Sequence, residues 1–126
     1  MTMAKFRLKP LVPSEHQVQT ACLQYLAVCP QVAWAERMNS GAVKIPVPGG
    51  KDRFIRYGFP GCADIIGQLK DGRFLAIEVK SPIGRVTDQQ QKFLNRVADN
   101  KGVSLIARSV DDVMAVFEIE YNTNVA

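Results

Sequence analysis

Two apolar runs, Ala63–Leu69 and Arg73–Val79, are joined by Lys70-Asp71-Gly72, and this pairing constrains the fold more than any other feature of the chain. Their alternation and the turn tripeptide predict a β-hairpin. Three charged groups stand where a sheet core would prefer none. Asp64 opens the first run, while Glu78 and Lys80 close the second. Because the hairpin turns at residues 70–73, its far ends bring Asp64 close to Glu78 and Lys80. Side chains alternate across a strand, so Glu78 and Lys80 point to one face and Val79 to the other. Two carboxylates within reach of each other repel unless a cation sits between them. Oxygen donors without His or Cys suit a hard ion such as Mg²⁺ or Mn²⁺. Lys80, beside such an ion, could hold a water and offset charge building on a phosphate. The competing reading is a Glu–Lys pair on a solvated strand face plus a turn-capping Asp, since buried charges are rare.

The flanking segments read as α/β. Ser14 with Gln17 forms a capping box, and Val18, Cys22, Tyr25, Leu26 and Cys29 recur at helical spacing until Pro30 stops the helix. At about 100° per residue, Glu15 falls within the arc of that apolar stripe and could supply another metal ligand. As a first-turn acid it also suits the helix dipole with no further role. Val32 to Met38 predicts a short strand, followed by an Asn39-Ser40-Gly41 turn. Residues 43–57 are basic and rich in Pro and Gly in their middle, as in a hairpin or a mobile loop. Thr87 and Gln90 cap a second helix with Phe93, Leu94 and Val97 on its apolar face. Gln90 either completes that cap or reaches the lysine-bearing edge to orient a water or phosphate. Val103 to Ala107 predicts a strand, and Ser109 with Asp112 opens a last helix carrying Val113, Met114, Val116 and Phe117. Residues 120–126 read as a frayed tail.

Composition excludes several classes. At 126 residues and 47% hydrophobic the chain suits one domain, residues 1–126, with a core of about 14–118. It has no run of about eighteen apolar residues that would span a membrane. Cys22, Cys29 and Cys62 are odd in number and lack CxxC spacing, which speaks against a disulfide framework or zinc site and fits an intracellular protein. With His16 alone, neither a His-based nuclease nor a Ser–His–Asp triad is available. No phosphate-binding glycine loop occurs. The net charge of +4 is compatible with a polyanionic partner.

The order Glu15, Asn39-Ser40-Gly41, Gly58-Phe59-Pro60-Gly61-Cys62-Ala63-Asp64, Glu78-Val79-Lys80 and Gly84-Arg85-Val86-Thr87 with Gln90 resembles the VRR-NUC family. These are virus-type replication–repair nucleases of the PD-(D/E)XK, restriction-endonuclease-like superfamily. The resemblance spans roughly residues 14–109. It implies a mixed four-stranded sheet flanked by helices, with Asp64, Glu78 and the Val79 carbonyl on the metal and Glu15 as a further ligand. It also implies that Lys80 positions and activates the nucleophilic water and that Gln90 assists at the rim. One departure is Ala63, where the family's motif usually has proline before the aspartate.

The reaction so implied is phosphodiester hydrolysis of structured or branched DNA, leaving 5′-phosphate and 3′-hydroxyl ends. Likeness to Holliday-junction resolvases implies a homodimer pairing two sites. The family's name points to a phage or prophage gene acting in a bacterial cytoplasm. Arg37, Lys44, Lys51, Arg53, Arg56 and Arg85 would then neutralise phosphates, and Asn39 could hydrogen-bond one. The alternative is a non-catalytic DNA-binding subunit of a replication or repair complex that uses the same basic surface.

Overall fold

The computed structural model describes residues 12–38 and 41–125, apart from the side chains of residues 41–43, 56, 57 and 119–125. Helix α1, Glu15–Val28, begins where the sequence predicts. The Ser14 hydroxyl accepts the Gln17 N–H at 3.1 Å, and Gln17 Oε1 accepts the Ser14 N–H at 2.9 Å. Two otherwise orphaned donors are satisfied reciprocally. The helix buries Val18, Cys22 and Leu26 and ends at Cys29, one residue before Pro30.

A four-stranded sheet follows, built from β1 (Val32–Arg37), β4 (Ile65–Leu69), β5 (Phe74–Val79) and β6 (Val103–Ala107) in that spatial order. The β1–β4 and β4–β5 pairs are antiparallel, and β5–β6 is parallel. Parallel neighbours need a crossover, which α2 (Asp88–Asp99) supplies. Helix α3, Val110–Val125, closes the chain and continues past the point where the sequence suggested a frayed tail. No Gly or Pro follows Phe117, and Asn and Thr carry only small helix penalties. A separate antiparallel ribbon pairs β2 (Gly41–Ile45) with β3 (Arg53–Tyr57).

The β4–β5 hairpin has the expected turn. Leu69 N–H donates to Arg73 O at 2.9 Å, and the Asp71 carboxylate accepts from both Arg73 N–H at 3.1 Å and Arg73 Nε at 2.8 Å. The register pairs Ile65 with Ile77 and Ile66 with Ala76. One sheet face packs Ile65, Leu75, Ile77 and Val79 against Leu26 of α1 and Phe117 of α3. The other packs Ala76 against Leu94 and Val97 of α2. Strand β5 is therefore covered on both faces, as a strand between two helix layers must be. Glu78 is the buried charged side chain among the described residues.

Close approach of β1 and β4 depends on Gly67, where an added Cβ would lie 2.5 Å from the Trp34 carbonyl oxygen. Backbone cannot yield as a flexible side chain does, so Gly67→Ala is expected to lower the urea-unfolding free energy by about 1–3 kcal/mol. An unchanged midpoint would mean that β1 is not seated against β4 as described.

Candidate active site

Extending the β4–β5 register by one step sets Asp64 opposite Glu78, so the two side chains share the face covered by α2. Backbone groups hold Asp64 from both sides. Its Oδ2 accepts the Val79 N–H at 2.9 Å, and its carbonyl accepts the Met38 N–H at 2.7 Å. The preceding loop is wedged against the start of α2. Phe59 meets Phe93 edge to face at 5.0 Å, and Gly61 sits at φ +82° with any Cβ colliding with the Gln89 carbonyl. Only glycine satisfies both the left-handed backbone and that contact. The GFPGCAD stretch thus delivers the aspartate by packing.

Glu78 is 1% exposed. Its Oε1 accepts from Gln90 Nε2 at 2.9 Å and lies 3.6 Å from Lys80 Nζ, while Oε2 receives no donor and the Asp64 carboxyl lies within hydrogen-bonding reach of the Glu78 carboxyl. A buried acceptor left unpaired is costly. Burial first, and the facing Asp64 second, push the Glu78 carboxyl up to about 8 against the opposing pull of Lys80. The same surroundings raise the Cys62 thiol, through burial and then the charges of Glu78 and Asp64. Lys80 sits at the mouth with its side chain 12% exposed.

Gln90 completes the cap and also reaches the acid cluster. Its Oε1 accepts the Thr87 N–H at 2.9 Å, completing the capping box, while Nε2 donates to Glu78. An amide has separate donor and acceptor ends, so the cap fixes the donor's aim. The start of α2 is thereby tied to the acid.

Arg108 was not anticipated. Its Nη1 donates to Ser81 O at 2.8 Å and to Gly84 O at 2.7 Å, pinning the turn between Lys80 and α2. The Gly84 N–H donates to Ser81 O at 3.1 Å across that turn. Had the parallel β5–β6 pairing been known, Val79 opposite Ala107 would have placed Arg108 level with Lys80.

Glu15 is the first residue of α1. It is exposed, and the buried stripe of α1 begins only at Val18. Among the described residues, no three His, Cys, Asp or Glu side chains gather around a common point. Arg37 is exposed at the end of β1, paired by register with Ile65, and Arg85 is exposed ahead of α2. Lys44, Lys51 and Arg53 are exposed on the β2–β3 ribbon. Arg56 lies in β3 with its side chain outside the description, and Asn39 lies outside the described residues.

The donor set fits a hard divalent cation. Two facing carboxylates, one with an unused buried oxygen, are relieved of repulsion and of desolvation by a positive ion. Having only two acids is no obstacle, since Mg²⁺ is held by one or two carboxylates and otherwise keeps water or phosphate oxygens.

The raised carboxyl fixes a sign. Because Glu78 titrates higher in the folded chain than in the unfolded one, its ionisation opposes folding in the absence of a cation. Its contribution to stability is whole below the ordinary glutamate range and is lost as pH rises toward about 8. In chelator, the urea midpoint is therefore expected to fall between pH 5 and pH 8.5, and Glu78→Gln should flatten that slope. A parallel slope in the variant would assign the titration elsewhere.

No curated protein and no solved structure gives a significant match to this chain. Comparison with protein families does: residues 12–111, most of the sequence and all of the site described above, match the VRR-NUC domain. The chain therefore belongs to the VRR-NUC family, which makes it a nuclease-type protein acting on DNA.

Proposed function

We propose that this protein is a divalent-metal-dependent endonuclease that hydrolyses phosphodiester bonds in structured or branched DNA. The observation that carries the reading is the Asp64–Glu78 pair, with a buried glutamate oxygen left without a partner beside Lys80. Asp64, Glu78 and the Val79 carbonyl would hold Mg²⁺ or Mn²⁺. When bound, the ion supplies Lewis-acid polarisation of the scissile phosphate.

The chain's own groups divide the remaining work. Gln90 occupies one oxygen of Glu78 and leaves the other free. Val79 N–H holds Asp64 in its rotamer. Lys80, fixed at the mouth, orients the attacking water and offsets negative charge growing on the phosphoryl oxygens. Oxygen from water bonds to phosphorus, the bond from phosphorus to O3′ breaks, and the ends left are 5′-phosphate and 3′-hydroxyl. Arg37, Lys44, Lys51, Arg53, Arg56 and Arg85 contribute phosphate contacts that position the duplex without reading its bases. A two-fold homodimer would present two such sites to a symmetric junction. Three free, buried cysteines agree with action in a reducing intracellular setting.

Incubating the protein with four-way, flap and linear DNA in Mg²⁺ or Mn²⁺ tests this reading. Cleavage should vanish in chelator, disappear with Asp64→Ala, and fall about 10²- to 10⁴-fold with Lys80→Ala. Metal-independent cutting, or cutting that survives both substitutions, would overturn it. Salt-sensitive binding with no cleavage in any divalent ion would favour a non-catalytic DNA-binding subunit instead.

A further inference from the structure

The β2–β3 ribbon stands apart from the rest of the molecule. Among the described residues its main contacts are between its own two strands, whereas β1, β5 and β6 each lean on both a neighbouring strand and a helix. A lone two-stranded ribbon is only marginally stable in water. Nevertheless it exposes apolar side chains on both faces. Phe54 is 67% exposed and shares a face with Lys44, which it opposes in the register. Ile45 opposes Arg53 on the other face, with Ile55 two residues along the same strand.

Charge decides what such a surface fits. Residues 41–57 contain Lys44, Lys51, Arg53 and Arg56 against Asp52 alone, a surplus of three when the whole chain carries +4. Asp52 is engaged with Lys44 at 3.0 Å, an exposed pair that a phosphate can readily exchange. Pairing this ribbon with its copy in a second chain would bring like charges together. A polyanion is favoured instead. Within DNA, a duplex offers phosphates and base edges, while base faces become available only where the bases are unpaired. Aromatic side chains interleaved with cations suit single strands for that reason.

Resting on the nuclease reading above, we propose that the β2–β3 ribbon is an arm that grips single-stranded DNA next to the site. Phe54 stacks on an unpaired base, and Lys44 on the same face, with Lys51 in the adjoining turn, holds the flanking phosphates. The arm is joined directly to the segment that carries Asp64. From Tyr57 the chain runs directly into the Gly58–Ala63 loop that delivers Asp64. Preference for branched or tailed DNA over plain duplex then arises on the ribbon, away from the carboxylates that cut.

Affinity measured by fluorescence anisotropy on Asp64→Ala protein, which cannot cut, isolates this role. The probes are a blunt duplex and a duplex of equal length bearing a single-stranded tail. Phe54→Ala should weaken tailed DNA about ten-fold and blunt DNA by less than about two-fold, with Phe54→Trp restoring the difference. Lys51→Ala should weaken both probes alike and lower the salt dependence by about one ion. Because Phe54 is largely exposed, its removal should leave the melting temperature unchanged. Equal loss on both probes, or no loss, overturns the proposal. So does a Phe54→Ala change that converts a dimer to a monomer in sedimentation without altering DNA preference. Phe54-dependent binding by a wild-type protein that cuts no DNA would keep the arm and remove the nuclease reading. Cutting whose tailed-to-blunt ratio ignores Phe54 would do the reverse.

Discussion

One unfavourable interaction organises this molecule: a glutamate carboxyl in a strand covered on both faces, set opposite an aspartate. Neither hydrophobic burial nor hydrogen bonding explains why a fold would keep it. Water is excluded, Gln90 and Lys80 attend to only one oxygen, and Asp64 adds repulsion. Replacing such a pair with apolar residues of similar size is often neutral or stabilising. Retention makes physical sense once a divalent cation completes the set, because the ion's charge reverses the sign of both penalties.

The fold confines the cost to the carboxyl end of β5. Leu75, Ala76 and Ile77 precede Glu78 in the same strand and are fully buried, so the ladder is anchored before the charge is reached. Beyond it, four separate segments converge. The β1 end holds the Asp64 carbonyl through Met38 N–H, and β5 holds its side chain through Val79 N–H. Helix α2 aims Gln90 at Glu78, and Arg108 after β6 ties down the turn that follows Lys80. Ends of strands facing a helix start are where α/β sheets commonly place ligands, since backbone there is free of the ladder. Here the connections on either side of the acid are short and each is pinned by a polar contact. Side chains so held need little reorganisation when charge develops beside them.

Local chemistry in the sequence was legible; contacts between distant segments were only partly so. The hairpin, both capping boxes and the helix stop before Pro30 follow from residues within a few positions of each other. The Asp64–Glu78 juxtaposition was legible for the same reason, because a tight turn fixes the register of both strands. The angle of Glu15 on α1 was legible from helical phase, whereas its exposure was not, because phase says nothing of position along the axis. Gln90 was posed as a choice between cap and site, although an amide can satisfy both at once. Arg108 was hidden for a stronger reason. Its partners lie 24 and 27 residues away, and they meet it only because β5 and β6 run parallel.

Charge is thus sorted by depth. Glu78 is buried at the end of β5 with Asp64 half-buried beside it, while Lys44, Lys51 and Arg53 of the ribbon, with Arg37 and Arg85, are exposed. Exposed cations act over about a Debye length, draw in a polyanion and are weakened by salt. Buried Glu78 acts only at contact, and its strength derives from the exclusion of water. Mixing the two would defeat both, for a lysine salt-bridged to Glu78 Oε2 would stabilise the fold by filling the place a cation needs. Lys80 instead approaches Oε1, the oxygen Gln90 already occupies. The unsatisfied oxygen is the one feature that ordinary stabilisation would remove first. Two donors stand beside Glu78 and both address Oε1, so the arrangement favours an open oxygen over a fully paired core.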